Sequence, residues 1–189
     1  MENIFDINAP IVPATSIGGL KQGLSFKELE NIVYKFKCKS LDLSLKVRSL
    51  NSVEYQYKDG VIGIVADIFF QRVNVIIVRE GYLGKIDNTI HVGMTIRELF
   101  EIDNSFDCYA TGGLMSLNYP GLVFYFTENF DADISDFIPY MNNKILGIGL
   151  WSQFGTDGKD VYQDIYGEEY YNNPIFVEGR KINQISLMM

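Results

Sequence analysis

Hydrophobic residues recur in two rhythms along this chain. Between residues 26 and 36, Phe26, Leu29, Ile32, Val33 and Phe36 fall at steps of three and four, the spacing that gives a helix one buried stripe. In LDLSLKV (41–47) apolar and polar residues alternate, as in a strand with one covered face. The runs VEYQYKDGVIGIVAD (53–67), VNVIIV (73–78), LMSLNYPGLVFYFTE (114–128) and KILGIGLW (144–151) are short and rich in β-branched and aromatic residues. They predict strands. Lys58-Asp59-Gly60 and Pro120-Gly121 predict tight turns between them.

Two helix starts are written in the same way. In GLSFKEL (23–29), Ser25 and Glu28 form a capping box, with Leu24 and Leu29 as its hydrophobic staple. In IHVGMTIREL (90–99), Thr95 and Glu98 form the box and Met94 and Leu99 the staple. Gly23 and Gly93 permit the sharp bend before each cap. The two stretches lie 70 positions apart, and over Gly23–Cys38 and Gly93–Cys108 six of sixteen positions are identical. Chance would give roughly one. The pattern predicts an α+β protein of two tandem repeats, 15–80 and 85–153, each with one helix packed on an antiparallel β-meander. An acidic, tyrosine-rich extension with a closing strand, INQISLMM, would occupy 154–189. The sheet face away from the helices would be left for solvent, the sister repeat or a partner.

Charge narrows the partner. The chain carries a net charge of -8. Residues 1–100 hold 12 Lys/Arg and 11 Asp/Glu, a balance of +1, whereas residues 101–189 hold 4 and 13, a balance of -9. Nucleic-acid binding needs a basic footprint, so this chain is not expected to take nucleic acid. A one-sided acidic field suits a basic protein partner. The start, MENIFDINAPIVPATS, is acidic and lacks an apolar core, and the longest apolar runs are strand-sized. Both favour a cytoplasmic protein with no membrane partner.

Few residues qualify for catalysis or metal binding. Cys38 and Cys108, at equivalent positions past each helix, suit small buried hydrophobes. A catalytic thiol would need a base, and His91 is the only histidine. Its counterpart 70 residues earlier is Lys21, so His91 is expected to face solvent. Glu28 and Glu98 are taken up by their caps. No metal site, cofactor or catalytic residue is assigned.

Two acidic and aromatic stretches remain as candidate contact surfaces. The connection TENFDADISDFIPYMNN (127–143) is about ten residues longer than its first-repeat counterpart, DIFFQR. It carries Glu128, Asp131, Asp133, Asp136 and Tyr140. The segment DGKDVYQDIYGEEYYNN (157–173) carries Asp157, Asp160, Tyr162, Asp164, Tyr166, Glu168, Glu169 and Tyr170. Either stretch could be a solvated loop with its aromatics tucked beneath it. Tyrosine nonetheless brings contact area and a hydroxyl at low entropic cost, and beside carboxylates it suits a surface rich in lysine and arginine.

A doubled helix-plus-meander unit whose helix opens on VGMTIREL resembles the small outer-membrane assembly lipoproteins of the SmpA/OmlA type. It is similar also to the β-lactamase inhibitory proteins built from two such units. Those inhibitors imply a sheet that grips an enzyme, although they have a signal peptide and a cysteine pair in each unit that this chain lacks. By overall type, small, acidic and apparently non-catalytic, the chain resembles bacterial toxin immunity proteins, including those of contact-dependent growth inhibition. The resemblance implies a protein-binding inhibitor that occludes the active site of a basic toxin, such as a nuclease. The alternatives are an enzyme using Asp, Glu and Tyr as acid and base, or an assembly module of the lipoprotein type.

Overall fold

A computed structural model describes residues 5–37, 42–109, 113–127 and 138–152. The described chain is α+β, with two helices and a large antiparallel sheet. A two-stranded hairpin, β1 (Ser16–Ile17) and β2 (Leu20–Lys21), leads into α1 (Phe26–Lys37). Four strands follow: β3 (Leu43–Val47), β4 (Ser52–Tyr57), β5 (Ile62–Asp67) and β6 (Arg72–Arg79). Then come α2 (Ile96–Ile102), β7 (Asp107–Tyr109), β8 (Gly113–Met115), β9 (Leu122–Tyr125) and β10 (Gly147–Trp151). A 3-10 turn occupies Ile138–Tyr140.

The eight strands β3 to β10 form one sheet in the order β3-β4-β5-β6-β10-β9-β8-β7. Each helix therefore precedes four consecutive strands, and β6 and β10 meet antiparallel at the centre, from Val75↔Trp151 to Arg79↔Gly147. β3 and β7 are the edges.

Both predicted capping boxes form. Ser25 Oγ accepts from the Glu28 N–H at 3.2 Å, and Glu28 Oε2 accepts from the Ser25 N–H at 2.9 Å. Thr95 Oγ1 accepts from the Glu98 N–H at 3.2 Å, and Glu98 Oε2 from the Thr95 N–H at 2.7 Å. Gly23 and Gly93 both take positive φ, 71° and 94°. Lys58, Asp59 and Gly60 turn the chain in the left-handed region, and Gly121 does so after Pro120. Each cap residue also makes an isolated bridge: Ser25 pairs with Arg72 at the start of β6, and Thr95 with Lys144, three residues before β10.

One hydrophobic core lies between the helices and the sheet. Leu29 and Val33 of α1 and Ile96 and Leu99 of α2 meet Ile62, Ile64, Ile76, Val78, Leu122, Phe124, Ile148 and Leu150. Alternation along the strands sends their neighbours to the other face. That face is apolar at its centre, where Val65, Val75, Ile77, Val123 and Tyr125 are buried. Of the occupants expected for this face, solvent is therefore excluded at the central band. His91 is likewise half-buried, its Nδ1 2.9 Å from the Val92 carbonyl oxygen, where the sequence suggested a solvent-facing residue.

Candidate functional site

On the sheet face opposite the two described helices, a charged group is built around Glu54. Strand β4 places its odd residues, Val53, Tyr55 and Tyr57, toward the helices, so Glu54 points to the opposite side and is fully buried there. Two guanidiniums meet it. Arg48 Nε donates to Oε2 at 2.7 Å, with Nη2 at 2.5 Å. Arg79, two strands away, brings Nη2 to 2.7 Å from Oε1 and donates from Nη1 to the Gly60 carbonyl at 3.1 Å. Burial pushes the Glu54 carboxyl up, but Arg79 and Arg48 outweigh it and hold the group below the ordinary carboxylate range. Space for this pairing comes from Gly63 of β5, where any Cβ would collide with Glu54 Oε1 and Arg79 Nη1. Two guanidiniums on one enclosed carboxylate leave the cluster with one surplus positive charge, and they tie β4 to Arg48 on one side and to β6 on the other.

Across the same face, Trp151 Nε1 donates to Tyr125 Oη at 2.8 Å. Tyr125 lies over Gly149, whose hypothetical Cβ would stand 3.0 Å from Cε2 of that ring. A second polar cluster ties the end of α2 to β8. Asp103 accepts from the Ser105 N–H, the Ser116 hydroxyl and the Asn118 side chain at 2.9–3.1 Å. Burial works against ionisation of Asp103, but these donors hold it below its usual range. Tyr82 closes the N-terminal segment, accepting from the Gly18 N–H at 3.0 Å and donating to the Ala9 carbonyl at 2.6 Å. Burial pushes its hydroxyl up to about 12. Among the described residues no group of three or more His, Cys, Asp or Glu is gathered as metal ligands would be.

Of the sequence-predicted contact residues, Tyr140 falls in the described chain. It is half-buried, with its ring 5.3 Å from that of buried Phe126. Glu128, Asp131, Asp133 and Asp136 lie outside the described residues, as do Asp157, Asp160, Tyr162, Asp164, Tyr166, Glu168, Glu169 and Tyr170. The chain on either side of 128–137 is well tethered. The Asn143 N–H donates to the Tyr140 carbonyl at 2.7 Å, and the Ile96 and Arg97 N–H groups donate to the carbonyls of Asn143 and Met141 at 3.0 and 2.9 Å. Cys108 is partly buried against the core, and Cys38 lies outside the described residues.

One exposed surface escaped the sequence reading. The β5–β6 connection presents Ile68, Phe69 and Phe70, with Phe69 72% exposed. The Ile68 N–H donates to the Asn51 carbonyl at 2.8 Å, which sets this tip beside Leu50. Arg72 lies over the Phe70 ring at 5.1 Å. Three successive apolar residues in a connection that needs none for its turn were the available signal.

No family model and no curated protein matches the sequence. Among solved structures, the chain is similar to the uncharacterized protein YfeY from Escherichia coli, at 12% identity and a TM-score of 0.46, covering 74% of this chain and 98% of that one. No helix among the described residues is long and apolar enough to cross a membrane.

Proposed function

We propose that this protein is a non-catalytic, protein-binding inhibitor of the immunity type, which neutralises a basic toxin by covering its active site. The observation that carries the reading is the charge split, with 13 Asp/Glu against 4 Lys/Arg in residues 101–189. Such a field draws in a basic surface and opposes an acidic one. The interleaved tyrosines and phenylalanines would supply the dehydrated contact that charge alone does not. The tethered chain at Phe126 and Tyr140 supports the reading by giving the acidic connection a fixed base. The exposed tip at Phe69 adds apolar area of the kind found at protein contacts.

Co-purification with the product of an adjacent toxin gene tests this. Binding that weakens at least tenfold when Asp131, Asp133, Asp164 and Glu168 are changed together to lysine is the expected result. Binding indifferent to that reversal, or enzymatic turnover by the chain itself, would overturn the reading.

The chain is further proposed to be a doubled unit of one helix and four strands. Support comes from the bridges Ser25↔Arg72 and Thr95↔Lys144, which align β6 with β10 at an offset of 72 residues (144 − 72). At that offset Ile76 matches Ile148 and Val78 matches Leu150, all buried in the shared core. The central pair Ile77↔Gly149 then matches itself, since 77 + 72 = 149. An axis through this pair, normal to the sheet, would exchange the halves and keep both helices on one face.

A further inference from the structure

We propose that β3, an edge strand among the described residues, pairs with β3 of a second copy, antiparallel and centred on Leu45, joining two eight-stranded sheets into one. The strand and its flanks read Asp42-Leu43-Ser44-Leu45-Lys46-Val47-Arg48. In the register centred on Leu45, residue i faces residue 90 − i of the second copy. Asp42 then faces Arg48, Ser44 faces Lys46, Leu43 faces Val47, and Leu45 faces itself. Opposite charges meet on one face of the sheet and apolar side chains meet on the other. A cross-strand arrangement of this kind stabilises an antiparallel pair.

The backbone allows this register. The Lys58 N–H donates to the Asp42 carbonyl at 2.9 Å, and the Arg48 N–H donates to the Ser52 carbonyl at 2.9 Å. Residues 42, 44, 46 and 48 therefore direct their N–H and C=O groups inward to β4. The alternation of an antiparallel ladder turns those of Leu43, Leu45 and Val47 outward. The Leu45-centred register sets outward groups against outward groups and would complete about six hydrogen bonds.

The side chains of this edge are uncovered as well. Leu45 is 51% exposed and Val47 71%. Edge strands usually discourage pairing with proline, bulges or charged side chains. β3 has no proline, its pairing with β4 is regular throughout, and Lys46 is its one charged residue. The edge is self-complementary in charge, apolarity and hydrogen-bond phase together, so the occupant it fits is another copy of this chain.

The test is the mass of the intact protein in solution, against a chain mass of 21.5 kDa. Sedimentation at about 100 µM is expected to give twice the chain mass, a concentration at which a micromolar dimer is nearly saturated. Leu45→Lys sets two lysines face to face at the axis and is expected to raise the dissociation constant at least tenfold. Far-UV circular dichroism should be unchanged, because Leu45 is half in water in the monomer. Ser49→Lys, exposed but beyond the strand, should leave the dimer intact. A wild-type chain at monomer mass, a dimer that survives Leu45→Lys, or equal loss with Ser49→Lys would each overturn the proposal. None of these results depends on the toxin partner.

Discussion

Glu54 shows what a single residue does to this sheet. It is a fully enclosed carboxylate whose neutralisation depends on two arginines reached from different strands. Glu54→Gln is expected to cost about 2–3 kcal/mol in chemical denaturation. That is less than the ~3–5 of a fully buried pair, because Arg48 and Arg79 keep 33% and 20% exposure and can turn to water. The linkage has a defined sign. The carboxyl is held below its unfolded value in the native protein, so its contribution is complete above the unfolded value, near pH 4.3. That contribution disappears as pH falls through the lower native value, so Glu54→Gln should flatten the acid arm of a stability–pH curve. Tyr82→Phe would strand the Gly18 N–H and the Ala9 carbonyl beside a buried ring, at a cost of about 1–2 kcal/mol read from the urea midpoint.

At the scale of elements, α2 depends on its cap. It has seven residues, too few to hold a helix by propensity alone, and the Thr95–Glu98 box satisfies donors that nothing else in the helix could. Thr95→Ala is expected to lower stability by about 1 kcal/mol and to reduce the melting temperature by a few degrees. Both boxes were readable in the sequence because all their parts lie within four residues. The strands VEYQY, VIGIVAD, VNVIIV and LVFY were readable for the same reason, as was the turn at Lys58-Asp59-Gly60. The three-residue β7 was not: it is too short for a period, and its pairing with β8 is what makes it a strand. Nothing local in VEYQY marks Glu54 as buried, because its partner Arg79 lies 25 positions away and Gly63 betrays nothing locally of the space it provides. The exposed Ile68-Phe69-Phe70 tip was visible as letters, but only the hydrogen bond to Asn51 shows that it stands beside Leu50.

For the molecule as a whole, the central β6–β10 ladder makes the two halves one cooperative body. The strands share five residue pairs, and residues of both halves fill the same core. Trp151, the only tryptophan, sits in that ladder. Its fluorescence and the far-UV circular dichroism should trace one coincident unfolding transition. Two resolved transitions would mean that the halves unfold separately. The strand order itself was beyond local reading, since it rests on the pairing of segments some seventy residues apart. That separation also bears on biosynthesis. When β6 leaves the ribosome its hydrogen-bonding partner on one side has not yet been translated, and VNVIIV must wait with a bare rim until β10 arrives. Nascent chains halted near residue 100 should therefore cling to chaperones or precipitate, whereas chains carrying β10 should not.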